Sequence, residues 1–170
     1  PAKAEAETAT GNDTVIDAAL KQKMEEVFAK TDYQLEWCSN MDEWYKGHLA
    51  FVLPGVYLAY RMDCNLYRIK FKEIGLFLDA CYEAYNTLEE LKYSVSKETK
   101  KKKKKGLKRT FTVMPKLFVM AKSKTGEMFI TNHCKHAVSE MEELSEDFSK
   151  LLGGKEDQMK AWKKLKTEMP

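Results

Sequence analysis

Between residues 67 and 88, the large and soft side chains Tyr67, Phe71, Ile74, Leu78, Cys81, Tyr85 and Leu88 recur at alternating steps of four and three. Steps of that kind set side chains on one stripe of a helix with a 3.5-residue repeat. Leu66, Ile69 and Phe77 widen the stripe enough to face two neighbours, and the polar side holds Arg68, Lys70, Lys72, Asp79, Glu83, Asn86, Glu89 and Glu90. The pattern predicts a helix of roughly thirty residues, about 45 Å long at 1.5 Å per residue. Ala137, Met141, Leu144, Phe148 and Leu151 repeat the alternation, and Gly153 stands where that helix should end. The two stripes are expected to pack side by side.

Upstream, Ile16, Leu20, Met24, Val27 and Phe28 share one face of a helix expected from Thr14 to Lys30, with Thr14 and Asp17 as a shortened capping box. The connector that follows carries Tyr33, Leu35 and Trp37, which should anchor it against the body. Asn40, with Glu43 three residues on, opens the next helix. Residues 47–60 hold no charged side chain when His48 is neutral. With Pro54 and Gly55 in its middle, that stretch falls short of the roughly 20 apolar residues that span a bilayer. It reads as a buried core helix, kinked or broken near Leu53 because Pro54 lacks a backbone donor.

Beyond residue 109 the period changes. Thr110, Phe111, Thr112 and Val113 alternate polar and apolar, residues 117–121 and 128–131 are short apolar runs, and Ser123-Lys124-Thr125-Gly126 fits a hairpin turn with Gly126 at positive φ. Two or three antiparallel strands are expected, with Pro115 at an edge or bulge. The competing reading makes Pro115 the first residue of a short helix reaching Lys122. Thr131 or Asn132 should cap the helix that follows. A final helix over 156–169 places acids first and lysines last, with Met159, Trp162 and Leu165 inward. The fold class expected is mainly α: a four- to five-helix bundle with a small antiparallel β-hairpin or three-stranded sheet inserted before the last two helices.

Length and charge refine this picture. The 170 residues fit one domain. Residues 1–12 lack large apolar side chains and read as a flexible tail, leaving 13–170 as a single helical domain with a lysine-rich loop at 97–109. The net charge of +3 conceals a segregation. Lys100, Lys101, Lys102, Lys103, Lys104 and Lys105, with Lys108 and Arg109, form a basic run without an acid; without them, 21 basic residues face 26 acidic ones, a net of −5. An acidic body with one basic loop differs from a general nucleic-acid binder, whose positive charge spreads over a face. The run suits an anionic membrane surface, at about 1 kcal/mol per lysine. Nucleic acid is the weaker fit, since no aromatic side chain interleaves the lysines to stack on bases.

Cys38, Cys64, Cys81 and Cys134 are scattered without CxxC spacing, which predicts reduced thiols. His133, Cys134 and His136 form the densest cluster of ligand-type side chains. If a helix begins there, Cys134 gains the lowered pKa of a helix N-terminus. The cluster lacks the fourth ligand that tetrahedral zinc needs. No phosphate-binding loop, dinucleotide fingerprint, nucleophile elbow or zinc-protease motif is present, and neither metal nor cofactor is expected. Trp37, Trp44, Tyr45, Phe51, Tyr57, Tyr60 and Tyr67 serve either core filling or a pocket or interface.

The expected function is that of a non-catalytic accessory or structural subunit that docks by its helical surface into a larger protein assembly. The alternative is a peripheral module that binds anionic membrane or nucleic acid through residues 100–105. An intracellular setting is expected, in an organelle if a presequence precedes Pro1. No transmembrane span is expected.

Overall fold

In a computed structural model the structure describes residues 17–38, 40–93, 112–167 and 169. The tail at 1–12, Thr14 and the basic run therefore lie outside the described residues. The first helix, α1, spans Ala18–Phe28, and the Asp17 carboxylate accepts the Ala19 N–H at 2.7 Å. None of its residues is buried. The connector does not lie against the body as expected. Tyr33 is exposed and packs edge-on against Phe28 of α1, and the Lys21 ammonium sits 5.5 Å from the centre of the Trp37 ring. Connector and helix thus fold on each other.

The second helix, α2 (Met41–Arg61), starts where the Asn40 side chain accepts the Glu43 N–H at 2.9 Å. It continues unbroken past Pro54, where a kink or a break was expected. Leu53, Val56, Tyr57, Leu58 and Ala59 are all buried around the proline. Their packing outweighs the roughly 3 kcal/mol that a mid-helix proline costs.

The thirty-residue helix is a shorter one with a separate lead-in. Asp63 and Cys64 take positive φ, Asn65 accepts the Tyr67 N–H, and a 3-10 turn covers Leu66–Arg68 before α3 (Phe71–Glu90) begins. Leu66 and Ile69 point inward from this turn, which turns Tyr67 outward and off the stripe. Phe71 is exposed as well. From Ile74 onward the stripe holds: Ile74, Phe77, Cys81, Tyr85 and Leu88 are buried, with the small Ala80 and Ala84 completing the face.

No strand occurs among the described residues, so the inserted hairpin or sheet is corrected to helix. Pro115 lies in the first turn of α4 (Met114–Ala121), the competing reading of the sequence. Thr110 and Phe111 lie outside the described residues. The supposed turn is a helix start, because the Ser123 hydroxyl accepts the Gly126 N–H at 3.3 Å. Gly126 has φ −62°, not a positive value. Its lack of a side chain serves a close approach, since a Cβ there would lie 2.5 Å from the Met120 carbonyl oxygen. The helical segment α5 (124–136) comprises Lys124–Gly126, a π-type stretch at Glu127–Thr131 and Asn132–His136. Thr131 and Asn132 sit inside it and cap nothing; Ala137, at φ −124° and ψ 40°, separates it from α6 (Val138–Leu152). Gly153 ends α6 in the left-handed conformation, as expected. A 3-10 turn at Lys155–Gln158 leads to α7 (Lys160–Lys166), so the expected last helix is split in two.

The two stripes do not pair as a unit: α3 packs against α2 and α7, whereas α6 packs against α2. Trp162 on α7 is the centre of the core, fully buried between Tyr57 of α2 and Phe148 of α6, with both ring centres 5.3 Å away. Polar anchors fix this end. Glu83 on α3 accepts the Ala161 N–H at 2.9 Å and the Trp162 N–H at 3.0 Å, capping α7 from another helix. Glu156 accepts the Trp162 indole N–H at 3.0 Å and pairs with the Lys166 ammonium at 2.9 Å. The Tyr57 hydroxyl and Ser145 hydroxyl share a buried hydrogen bond of 2.7 Å.

Candidate functional site

Two features stand apart from this core: a cavity and an uncovered face. The cavity opens between α2, α3, α4 and α5 and measures about 530 Å³. From α2 come His48, Phe51, Val52, Gly55, Val56 and Leu58, all within the uncharged stretch 47–60. The turn before α3 gives Leu66 and Ile69, and α3 gives Ile74 and Phe77. Leu117, Met120 and Ala121 of α4 and Thr125, Gly126, Ile130, His133 and Cys134 of α5 close the wall. Among the described residues, none that lines it carries a fixed charge. The aromatic contact of Phe51 with Phe77, at 5.3 Å, braces α2 against α3 beside it.

The predicted thiol and histidine cluster divides here. His133 and Cys134 line the cavity, whereas His136 is exposed and takes no part in it. Cys134 sits inside α5, not at its start, so the condition for a thiol pKa lowered by a helix N-terminus is not met. Burial pushes its thiol up to about 12, reinforced by the neighbouring Cys64 sulfur, so it is neutral at pH 7. Its carbonyl accepts the Tyr60 hydroxyl at 3.1 Å. The fold also brings His48 to the same cavity, its ring stacked on Trp44 at 4.6 Å. No group of three or more His, Cys, Asp or Glu arranged for a metal occurs among the described residues. All four cysteines are free thiols, three of them buried.

The uncovered face is the second feature. Leu20, Met24 and Val27 lie four and three residues apart on α1, yet Leu20 is 55% and Val27 69% exposed. Tyr33, Trp37, Met41, Trp44 and Tyr45 continue the exposed apolar side chains along the connector and into α2. The aromatic group read from the sequence therefore splits. Tyr57 is buried in the core, Phe51 and Tyr60 pack at its edge, and Trp37, Trp44, Tyr45 and Tyr67 face outward.

Lys100, Lys101, Lys102, Lys103, Lys104, Lys105, Lys108 and Arg109 lie outside the described residues. Among the described residues no helix is long and apolar enough to cross a membrane. The cavity was missed in the sequence because five segments build it; its one legible sign is the uncharged stretch 47–60, which supplies the α2 wall. No family model, curated protein or solved structure matches the chain.

Proposed function

We propose that the chain is a non-catalytic helical subunit that docks into a larger protein assembly, with α1 seated in an apolar groove of a partner protein. What supports this reading is the contrast within α1: a stripe of Leu20, Met24 and Val27 on a helix that buries none of its residues. Anchors at i, i+4 and i+7 are the pattern by which amphipathic helices enter grooves. The opposite side carries Gln22, Glu25 and Glu26, which stay in water when the stripe is covered. The exposed Trp37, under the Lys21 ammonium of α1, and the exposed Trp44 on α2 belong to the residue types that dominate binding energy at interfaces.

Sizing the chain in native extract tests this. The expected result is elution with an assembly well above the 19.7 kDa of the chain, and release as a monomer on combining Leu20→Glu with Val27→Glu. A compact free monomer in the native extract overturns the reading. Replacing Lys100–105 by Gln separates the alternative: loss of binding to anionic vesicles, with assembly intact, assigns the basic run its own role as a membrane contact.

A further inference from the structure

The cavity has no part in that docking reading. The cavity is half open to solvent, and its volume of about 530 Å³ lies within the roughly 300–1,000 Å³ of small-molecule sites. Its walls are almost wholly hydrocarbon and aromatic, so water against them gains few hydrogen bonds and an apolar molecule that displaces it is favoured.

The polar groups bear on what kind of molecule this is. Those that reach the cavity are few: the His48 and His133 rings, the Thr125 hydroxyl and the Cys134 thiol. Among the described residues no fixed charge lines it, so a charged end of a ligand has to stay toward the open side. The stretch 112–136, which builds α4 and α5, carries Lys116, Lys122, Lys124 and Lys135 against the single acid Glu127. Lys122 and Lys124 flank the turn between the two helices, and the Lys122 ammonium lies 4.5 Å from the centre of the Phe118 ring. Phe118 is held in turn against Phe71 of α3, at 5.4 Å. The local field therefore favours an anion, although the rest of the body is acidic.

We infer that the cavity binds a single-chain aliphatic carboxylate, with its hydrocarbon between α2 and α5 and its carboxylate toward the lysine-bearing α4–α5 side. A two-chain lipid is too large for the space. An aliphatic amine meets the wrong sign of charge.

Calorimetric titration of the full chain with octanoate, decanoate and dodecanoate, kept below their micellar concentrations, tests this. One-to-one binding is expected, tightening by about fourfold per methylene while the chain still finds room. Dodecyltrimethylammonium is expected to bind at least about tenfold more weakly, and the pair Lys122→Glu and Lys124→Glu to narrow that gap by reversing the local charge. Gly55→Leu fills the space: the nearest atom to an added Cβ is a Phe77 ring carbon at 3.7 Å, so the larger side chain has somewhere to go. It should abolish binding. Should that variant not fold, methyl NMR of the unaltered chain decides. Met120 at the cavity should shift with dodecanoate, and the buried Met141, which is not part of the lining, should not. Equal affinity for the cation and the anion, or a Met120 signal unmoved by dodecanoate, would overturn the inference.

Discussion

At Gly126 an added methyl group would meet two carbonyl oxygens of α4, that of Met120 at 2.5 Å and that of Ala121 at 2.8 Å. These are backbone atoms and cannot swing aside, so Gly126→Ala should lose about 1–3 kcal/mol as overpacking does. Gly55→Ala meets only a side-chain atom at ordinary contact distance and should gain about 0.5–1 kcal/mol from helix propensity. Urea denaturation of the two variants side by side checks both signs. The sequence had pointed to Gly126 but for the wrong reason. A glycine after Ser-Lys-Thr suits a positive-φ turn and a close helix approach equally well, and only the neighbour across the gap distinguishes them. Buried acids of another kind set the alkaline limit. Burial raises the pKa of Cys134 and of Tyr60 to about 12, and raises those of Cys64, Tyr57 and Tyr85. The fold holds these protons after the unfolded chain has released them. Stability is therefore complete below the unfolded thiol value, about 8.5, and is lost as pH climbs toward the folded values. Cys134 alone contributes a slope of about 1.4 kcal/mol per pH unit in that window. Urea midpoints should fall between pH 8.5 and 11, and fall less steeply in Cys134→Ala.

Elements with long, regular patterns were legible. Asn40 and Glu43 marked the start of α2, Gly153 marked the end of α6, and the buried face of α3 followed its spacing from Ile74 to Leu88. Short elements were not, because four residues of alternating polarity satisfy a strand and a helix alike. Around Pro115 and Ser123 the deciding facts are a proline tolerated in a first turn and a hydroxyl that caps Gly126. The lead-in to α3 was misread for a related reason: Leu66 and Ile69 face the core from a 3-10 turn as they would from a helix, while Asn65 interrupts the ladder. Long-range capping leaves no trace at all in local pattern. Glu83 sits on the polar side of its own helix, yet its carboxylate receives two N–H groups from the start of α7. Glu83→Ala should therefore cost about 1–2 kcal/mol, typical of a lost cap with charged acceptor. Because the freed N–H groups include that of Trp162, the variant should also show a red-shifted Trp162 emission before global unfolding. An unchanged denaturation midpoint would mean that water replaces the carboxylate at no loss.

For the molecule as a whole, the division of labour follows from where apolar surface is covered. Trp162, Tyr57, Phe148, Leu53 and Leu88 unite α2, α3, α6 and α7 in one core. The cavity lies where α4 and α5 meet α2 and α3, and α1 with its connector stands outside both. A sequence stripe reports only that a helix wants an apolar neighbour. It does not report whether the neighbour is in the same chain, and so α1 and α6 carried the same signal with opposite outcomes. That difference has a measurable consequence. Stability tracks the apolar area that folding removes from water, and α1 removes little within this chain. Deleting residues 1–30 should shift the free energy of unfolding by no more than about 0.5 kcal/mol, the range of surface changes. The urea slope should scarcely change, because it scales with the surface that unfolding exposes. The same deletion should remove the chain from its native assembly as completely as Leu20→Glu with Val27→Glu. A fall of several kcal/mol on deletion would instead make α1 part of the core and leave the stripe on it without a partner to explain.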